Sequence, residues 1–123
     1  MNKLVIDVTN EKIFLMIITK DDIYNITKEN TKINYEKLTL ILKDFLNSNN
    51  LKLEDIQKIY VNRGPGSFAG IRNSLSIVKA INVARNVDYY CYSLEDFKDQ
   101  KDVKYEDIPN LCDKFKIKKN LIK

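Results

Sequence analysis

The chain has 123 residues, 44% hydrophobic and 31% charged, with 21 basic and 17 acidic side chains and a formal net charge of +4. That length suits one domain with a real core, and no apolar run is long enough to span a bilayer. With no histidine there is no Ser–His triad, histidine–metal cluster or HExxH site, and two cysteines, Cys91 and Cys112, cannot build a Cys-rich zinc centre.

Met1-Asn2-Lys3 leads straight into an apolar run with no signal-peptide pattern, and the cysteines lack redox spacing. The expectation is a reduced, cytoplasmic protein with no membrane contact. Residues 4–8 form a compact apolar strand interrupted by Asp7, followed by a turn at Thr9-Asn10-Glu11. Residues 13–18 are apolar throughout and read as an interior strand. Lys20-Asp21-Asp22 turns the chain into a weaker edge strand, residues 23–27, so that the three make an antiparallel meander. Residues 35–46 read as a helix. Tyr35, Leu38, Ile41, Leu42, Phe45 and Leu46 cover an arc of about 140°, a width that packs on a sheet, with Leu40 on the opposite side. Asn47-Ser48-Asn49-Asn50 stops this helix, and residues 51–56 connect it to a fourth strand, 58–61.

All three glycines (Gly64, Gly66, Gly70) then fall within seven residues, and all three arginines (Arg63, Arg72, Arg85) lie in the same stretch against eighteen lysines. Pro65 between two glycines breaks the strand, Ser67 is a candidate N-cap, and residues 71–84 have helical period. Residues 87–92 are β-rich, and Ser93-Leu94-Glu95-Asp96 has capping-box spacing. The order βββαβαβ implies an α/β fold with a mixed five-stranded sheet and helices on its faces. We take residues 1–97 as the lobe and 98–123 as a basic C-terminal extension, a short helix or partly disordered. Split at residue 97, the body carries 13 basic and 12 acidic residues and the remainder 8 and 5, so the excess charge sits in the extension. A basic extension can touch RNA phosphates, although an ordinary solvated end is the commoner behaviour.

Three features invite a functional reading. Asp7 is the one carboxylate inside an apolar strand; it is either a hydrogen-bonded strand end or a phosphate- or metal-facing group. The loop Gly64-Pro65-Gly66-Ser67-Phe68-Ala69-Gly70 is neither a dinucleotide fingerprint nor a P-loop. A glycine loop feeding a helix start still offers N–H groups and the helix dipole to an anion, with Arg63 and Arg72 flanking; the alternative is a tight turn with no ligand. Arginine in a lysine-rich chain suits a planar bidentate contact, to a carboxylate as readily as to a phosphate. The second helix presents apolar side chains over an arc of about 220°, from Ala80 round to Leu75, more than one sheet covers. Either the first helix or the extension hides the rest, or a protein partner does.

NRGPGSFAGIR, followed by an apolar helix, a short strand and Ser93-Leu94-Glu95, resembles the TsaB (YeaZ) family. Ile6-Asp7 in the first strand and Leu53-Glu54-Asp55-Ile56 before the fourth add to the match, which covers roughly residues 3–97. The resemblance implies a single lobe of the actin/Hsp70-like ATPase fold, related to ribonuclease H. It implies a non-catalytic, cytoplasmic scaffold for the tRNA modification that places threonylcarbamoyl on the adenosine beside the anticodon. Its partners would be the transferase TsaD and the ATPase TsaE, with tRNA met indirectly and a homodimer possible through the same helices. Threonylcarbamoyl-adenylate would come from TsaC, and ATP and magnesium would be used by partner subunits, with no cofactor in this chain. The loop candidates are Asp7, Arg63, Gly64, Pro65, Gly66, Ser67, Gly70 and Arg72. The candidate interface is Tyr35, Leu38, Leu42 and Phe45 on the first helix and Leu75, Val78, Lys79 and Asn82 on the second. The family usually has a second lobe, Thr where Ala69 stands and a Ser-containing pattern where Asn10 follows Thr9. A nucleotide cleft within this chain is therefore not implied. The competing readings are a metal-dependent nuclease of the ribonuclease-H-like fold using Asp7, with Glu36 and Asp44 as further carboxylates, and a free-standing nucleotide or phosphate binder.

Overall fold

Five strands are present in the computed structural model, which describes residues 1–122: β1 (Lys3–Asp7), β2 (Lys12–Ile18), β3 (Ile23–Glu29), β4 (Lys58–Asn62) and β5 (Asp88–Tyr92). They form one sheet in the order β3-β2-β1-β4-β5. The first three are antiparallel neighbours, whereas β4 lies parallel to β1 and β5 parallel to β4. Parallel neighbours need crossovers. The first is made by two helices, α1 (Lys32–Glu36) and α2 (Leu38–Ser48), and the second by α3 (Phe68–Arg85). The mixed βββαβαβ lobe expected from the sequence is the observed one.

Residues alternate across each strand. Leu4, Ile6, Ile13, Leu15, Ile17, Ile59, Val61, Tyr89 and Cys91 pack toward the helices, against Leu38, Leu42, Phe45 and Leu46 of α2 and Val78 and Ile81 of α3. The sequence predicts one helix over 35–46; the chain instead breaks at Lys37, whose backbone (φ −100°, ψ 17°) leaves the helical region. Thr31, not a residue near Tyr35, sets the start, its hydroxyl accepting from the Asn34 N–H. For α3 the expected N-cap holds: the Ser67 hydroxyl accepts from the Gly70 N–H.

Residues beyond 97 do not trail away. A 3₁₀ turn at Tyr105–Asp107 leads into α4 (Ile108–Lys114), and these lie on the sheet face away from α2 and α3. There Val5, Met16, Tyr60 and Tyr92 meet Phe97, Ile108, Leu111 and Cys112. Rings stack through this layer, Tyr92 on Phe97 at 5.7 Å and Phe14 on Tyr105 at 3.8 Å between centroids. The extension then reaches the open edge of β5. The Asn120 N–H donates to the Tyr89 carbonyl at 2.7 Å, and its side-chain oxygen accepts from the Tyr89 N–H at 3.0 Å. Burial pushes the Cys112 thiol up to about 12 and the Cys91 thiol to about 11, the latter opposed by nearby Arg63. Both cysteines are free and act as small packed hydrophobes.

One group in this layer is unsatisfied. The Tyr92 hydroxyl is fully buried and has no hydrogen-bond partner. Tyr92→Phe keeps the ring and its stack on Phe97 while removing the stranded polar atom. The variant is expected to be more stable by about 1 kcal/mol, read as a raised urea midpoint.

Candidate functional site

Asp7 ends β1 and is 3% exposed. All its acceptor positions point into the protein. Oδ1 accepts from the Thr9 N–H at 2.9 Å and the Thr9 hydroxyl at 2.6 Å. Oδ2 accepts from Asn62 Nδ2 at 3.1 Å and the Tyr105 hydroxyl at 2.8 Å. Burial, with the facing Asp7 carboxylate, raises the Tyr105 pKa, so this phenol stays protonated and donating. Of the two readings of Asp7, the hydrogen-bonded strand end is the one realised. Its partners Thr9, Asn62 and Tyr105 were not singled out by sequence. Thr9 was readable as the residue two beyond an Asp at a strand end; Tyr105, ninety-eight positions away, carried no signal.

The glycine loop packs against that same strand end. Backbone φ is +108° at Gly64 and +153° at Gly66, and the Gly64–Pro65 bond is cis. A Cβ at Gly66 would meet the Thr9 carbonyl oxygen, with Thr9 Cβ at 2.8 Å; one at Gly70 would meet the Val8 carbonyl oxygen at 2.6 Å. The close approach that glycine permits is therefore to the protein's own backbone. Several N–H groups of the loop are spent internally: Gly64 donates to Asn62 Oδ1 at 2.9 Å, Ser67 to the Thr9 carbonyl at 2.8 Å and Gly70 to the Ser67 hydroxyl at 3.4 Å. Arg63 is engaged within the chain. Its guanidinium makes a two-pronged contact with Asp96, 2.9 and 3.0 Å. The Asp96 carboxylate also accepts from the Ser93 N–H at 2.9 Å, tying the loop to the turn after β5. Arg72 is exposed on α3, and no ion pair to it occurs among the described residues. The structure thus brings Asp7, Gly66 and Ser67 together at Thr9 with Gly70 on the adjoining Val8, while Arg63 pairs with Asp96 and Arg72 is exposed.

On the helical side, Leu38, Leu42, Phe45 and Val78 are between 0 and 4% exposed. Their side chains build the core beneath the helices, because each faces the sheet. Tyr35, Leu75 and Asn82 are half-buried, and Lys79 is exposed. The surplus apolar surface lies elsewhere, in a groove of about 570 Å³ between α2 and α3. Leu42, Leu46, Ile77, Ala80, Ile81 and Ala84 line it, with Leu53 closing one end and Lys43, Lys52, Glu54 and Arg85 at the rim. The wide apolar arc of the second helix, counted from Ala80, includes the groove residues Ile77, Ala80, Ile81 and Ala84.

Comparison with known proteins places this geometry. A family model described as TsaD, tRNA N6-adenosine threonylcarbamoyltransferase, matches residues 29–93, more than half of the chain. A curated relative, the tRNA threonylcarbamoyladenosine biosynthesis protein TsaB of Buchnera aphidicola, is 29% identical over 75 residues, 61% of this chain and 34% of the relative. The solved structure of YeaZ from Pseudomonas aeruginosa superposes with a TM-score of 0.69 at 20% identity, covering 75% of this chain and 43% of that one. RuvC of Thermus thermophilus in complex with a Holliday junction substrate gives 0.54 at 12% identity, over 80% of this chain and 68% of that one. The present chain thus spans about a third of the curated TsaB and under half of YeaZ. The matched segment carries both crossover helix units and the glycine loop; similar in sequence to TsaB and in fold to YeaZ, the chain belongs to the family described as TsaD, tRNA N6-adenosine threonylcarbamoyltransferase.

Proposed function

We propose that this protein is a non-catalytic scaffold subunit of the machinery that makes threonylcarbamoyladenosine in tRNA, and that the α2–α3 groove receives the transferase TsaD. The observation that carries the reading is the groove itself. It is apolar along its floor and rimmed by charge, the anatomy of an interface core. Every residue lining it lies inside the segment that matches the family model. ATP and magnesium belong to partner subunits on this reading, TsaE among them, and tRNA is the substrate of the assembly. The same groove could also serve a homodimer, with TsaD and a second copy competing for it.

The test is binding to TsaD of the same organism, measured by calorimetry. Ala80→Glu with Ala84→Glu puts two carboxylates on the groove wall at exposed positions, so the fold is spared. We expect the Kd to rise at least about 30-fold, the size of a hot-spot loss. Absence of binding by the unaltered chain, or equal binding by the variant, would sink the reading.

The likeness to RuvC raises a nuclease as the second reading. Such chemistry asks for several convergent carboxylates. Asp7 has both oxygens engaged by Thr9, Asn62 and Tyr105. Among the described residues no group of three or more Asp, Glu, His or Cys side chains is placed to hold a metal ion. The donor set does not fit that activity, and the scaffold reading is preferred.

A further inference from the structure

We propose that the end of the C-terminal extension, with the adjoining starts of β1 and β4, forms a phosphate-backbone binding surface for RNA. Charge is segregated along the extension. Residues 98–113 hold three lysines and five acids, whereas residues 114–123 hold five lysines and no acid. Residues 117–120 of the basic half are tied to the rest of the fold. The Ile117 N–H donates to the Cys112 carbonyl at 2.9 Å, Asn120 ties the strand edge at Tyr89, and Tyr90 bridges to Lys119. Lys114, Lys116, Lys118 and Lys119 are exposed on this fixed path.

The sheet adds to the same surface. Lys3 and Lys58 are partners across β1 and β4, on the face that carries Val5 and Tyr60 and underlies the extension. Lys58 Nζ stands 5.8 Å from the centre of the Tyr90 ring, and Lys114 Nζ 5.5 Å from that of Phe115. Asp88 offsets one charge through Lys119, at 3.5 Å. Six lysines, two of them over the partly exposed rings of Tyr90 and Phe115, against Asp88 and Asp113, make a surface whose natural counter-ion is a chain of phosphates. Because the lysines are held on folded backbone, little ordering is required on contact. A lipid surface is the lesser fit: α4 has seven residues and turns Ile108, Leu111 and Cys112 into the core, leaving no apolar helix face to insert. Leu121 and Ile122 are the residues a bilayer would take.

The inference rests on charge placement and does not depend on the pairing with TsaD. Fluorescence anisotropy of the full chain with an unmodified tRNA transcript, titrated across salt, tests it. Lys114→Gln, Lys116→Gln and Lys118→Gln together should weaken binding at least tenfold and lower the salt slope by about two to three. The control Lys28→Gln, Lys32→Gln and Lys37→Gln, on the opposite side of the molecule, should change neither by more than twofold. Circular dichroism establishes that both variants are folded. Lack of tRNA binding at low salt, equal loss in the control, or retention of anionic vesicles in place of RNA would each overturn the proposal. Loss of RNA binding with TsaD binding intact separates this surface from the groove.

Discussion

A chain ended after residue 97 is expected not to reach a native state. The cut removes Ile108, Leu111, Cys112 and Tyr105 and lays open the sheet face carrying Val5, Met16, Tyr60 and Tyr92. At about 1.5–3 kcal/mol for each core side chain uncovered, the loss is about 6–12 kcal/mol. A domain of this size has about 5–15 kcal/mol in total. Asp7 would also lose its Tyr105 donor. The expected readout is a flattened near-ultraviolet circular dichroism spectrum with strong binding of a hydrophobic dye. A sharp, cooperative melt of the shortened chain within about 5 °C of the full one would show the extension to be dispensable.

The second large effect is expected at Gly66. Alanine there must hold φ near +153° and place its Cβ against the Thr9 carbonyl, a backbone atom that cannot swing away. Backbone strain and overpacking each cost about 1–3 kcal/mol. Gly66→Ala should therefore lower stability by about 3–5 kcal/mol, or the melting temperature by roughly 10–20 °C. Gly64→Ala is the comparison. Its Cβ would meet chiefly the Ile71 side-chain tip at 2.9 Å, which can rotate, so strain at φ +108° remains but less of the clash. A Gly66→Ala protein as stable as the parent would refute the account of the loop as backbone-on-backbone packing. An anion-binding role would then regain ground.

The succession of elements and the mixed sheet were legible because three short apolar runs with tight turns, then two long crossovers, leave few arrangements. The strand–loop–helix at residues 58–85 was legible for the same reason: glycine, proline and an N-cap serine mark it in sequence. What escaped were relations between distant residues. Asp96 as the partner of Arg63 was within reach, since an acid at the third position of a capping box is held in place by the preceding turn. Tyr105 on Asp7 was not, because a tyrosine in a charged linker looks like any other. The extension reads in sequence as a short helix or a partly disordered end, and it holds α4 (Ile108–Lys114). Five of its apolar residues, Ile108, Leu111, Cys112, Phe115 and Ile117, fall on the side that meets the sheet, whereas Leu121 and Ile122 are exposed. Of the residues expected at a helical interface, Leu38, Leu42, Phe45 and Val78 are buried toward the sheet, and Leu42 also lines the α2–α3 groove. Period fixes which side chains share a face, and only packing decides whether that face looks inward.

The clasp between Asp7 and Tyr105 ties the seventh residue to one made ninety-eight positions later. On a ribosome adding about 5–20 residues per second, the strand bearing Asp7 is complete several seconds before its closing phenol exists. Once β4 and β5 have joined β1, the face they share stays a half-finished plate until the residues around Tyr105 follow. The nascent chain is most exposed to chaperones then, and to mispairing with its neighbours, until Tyr105 and α4 cover that face.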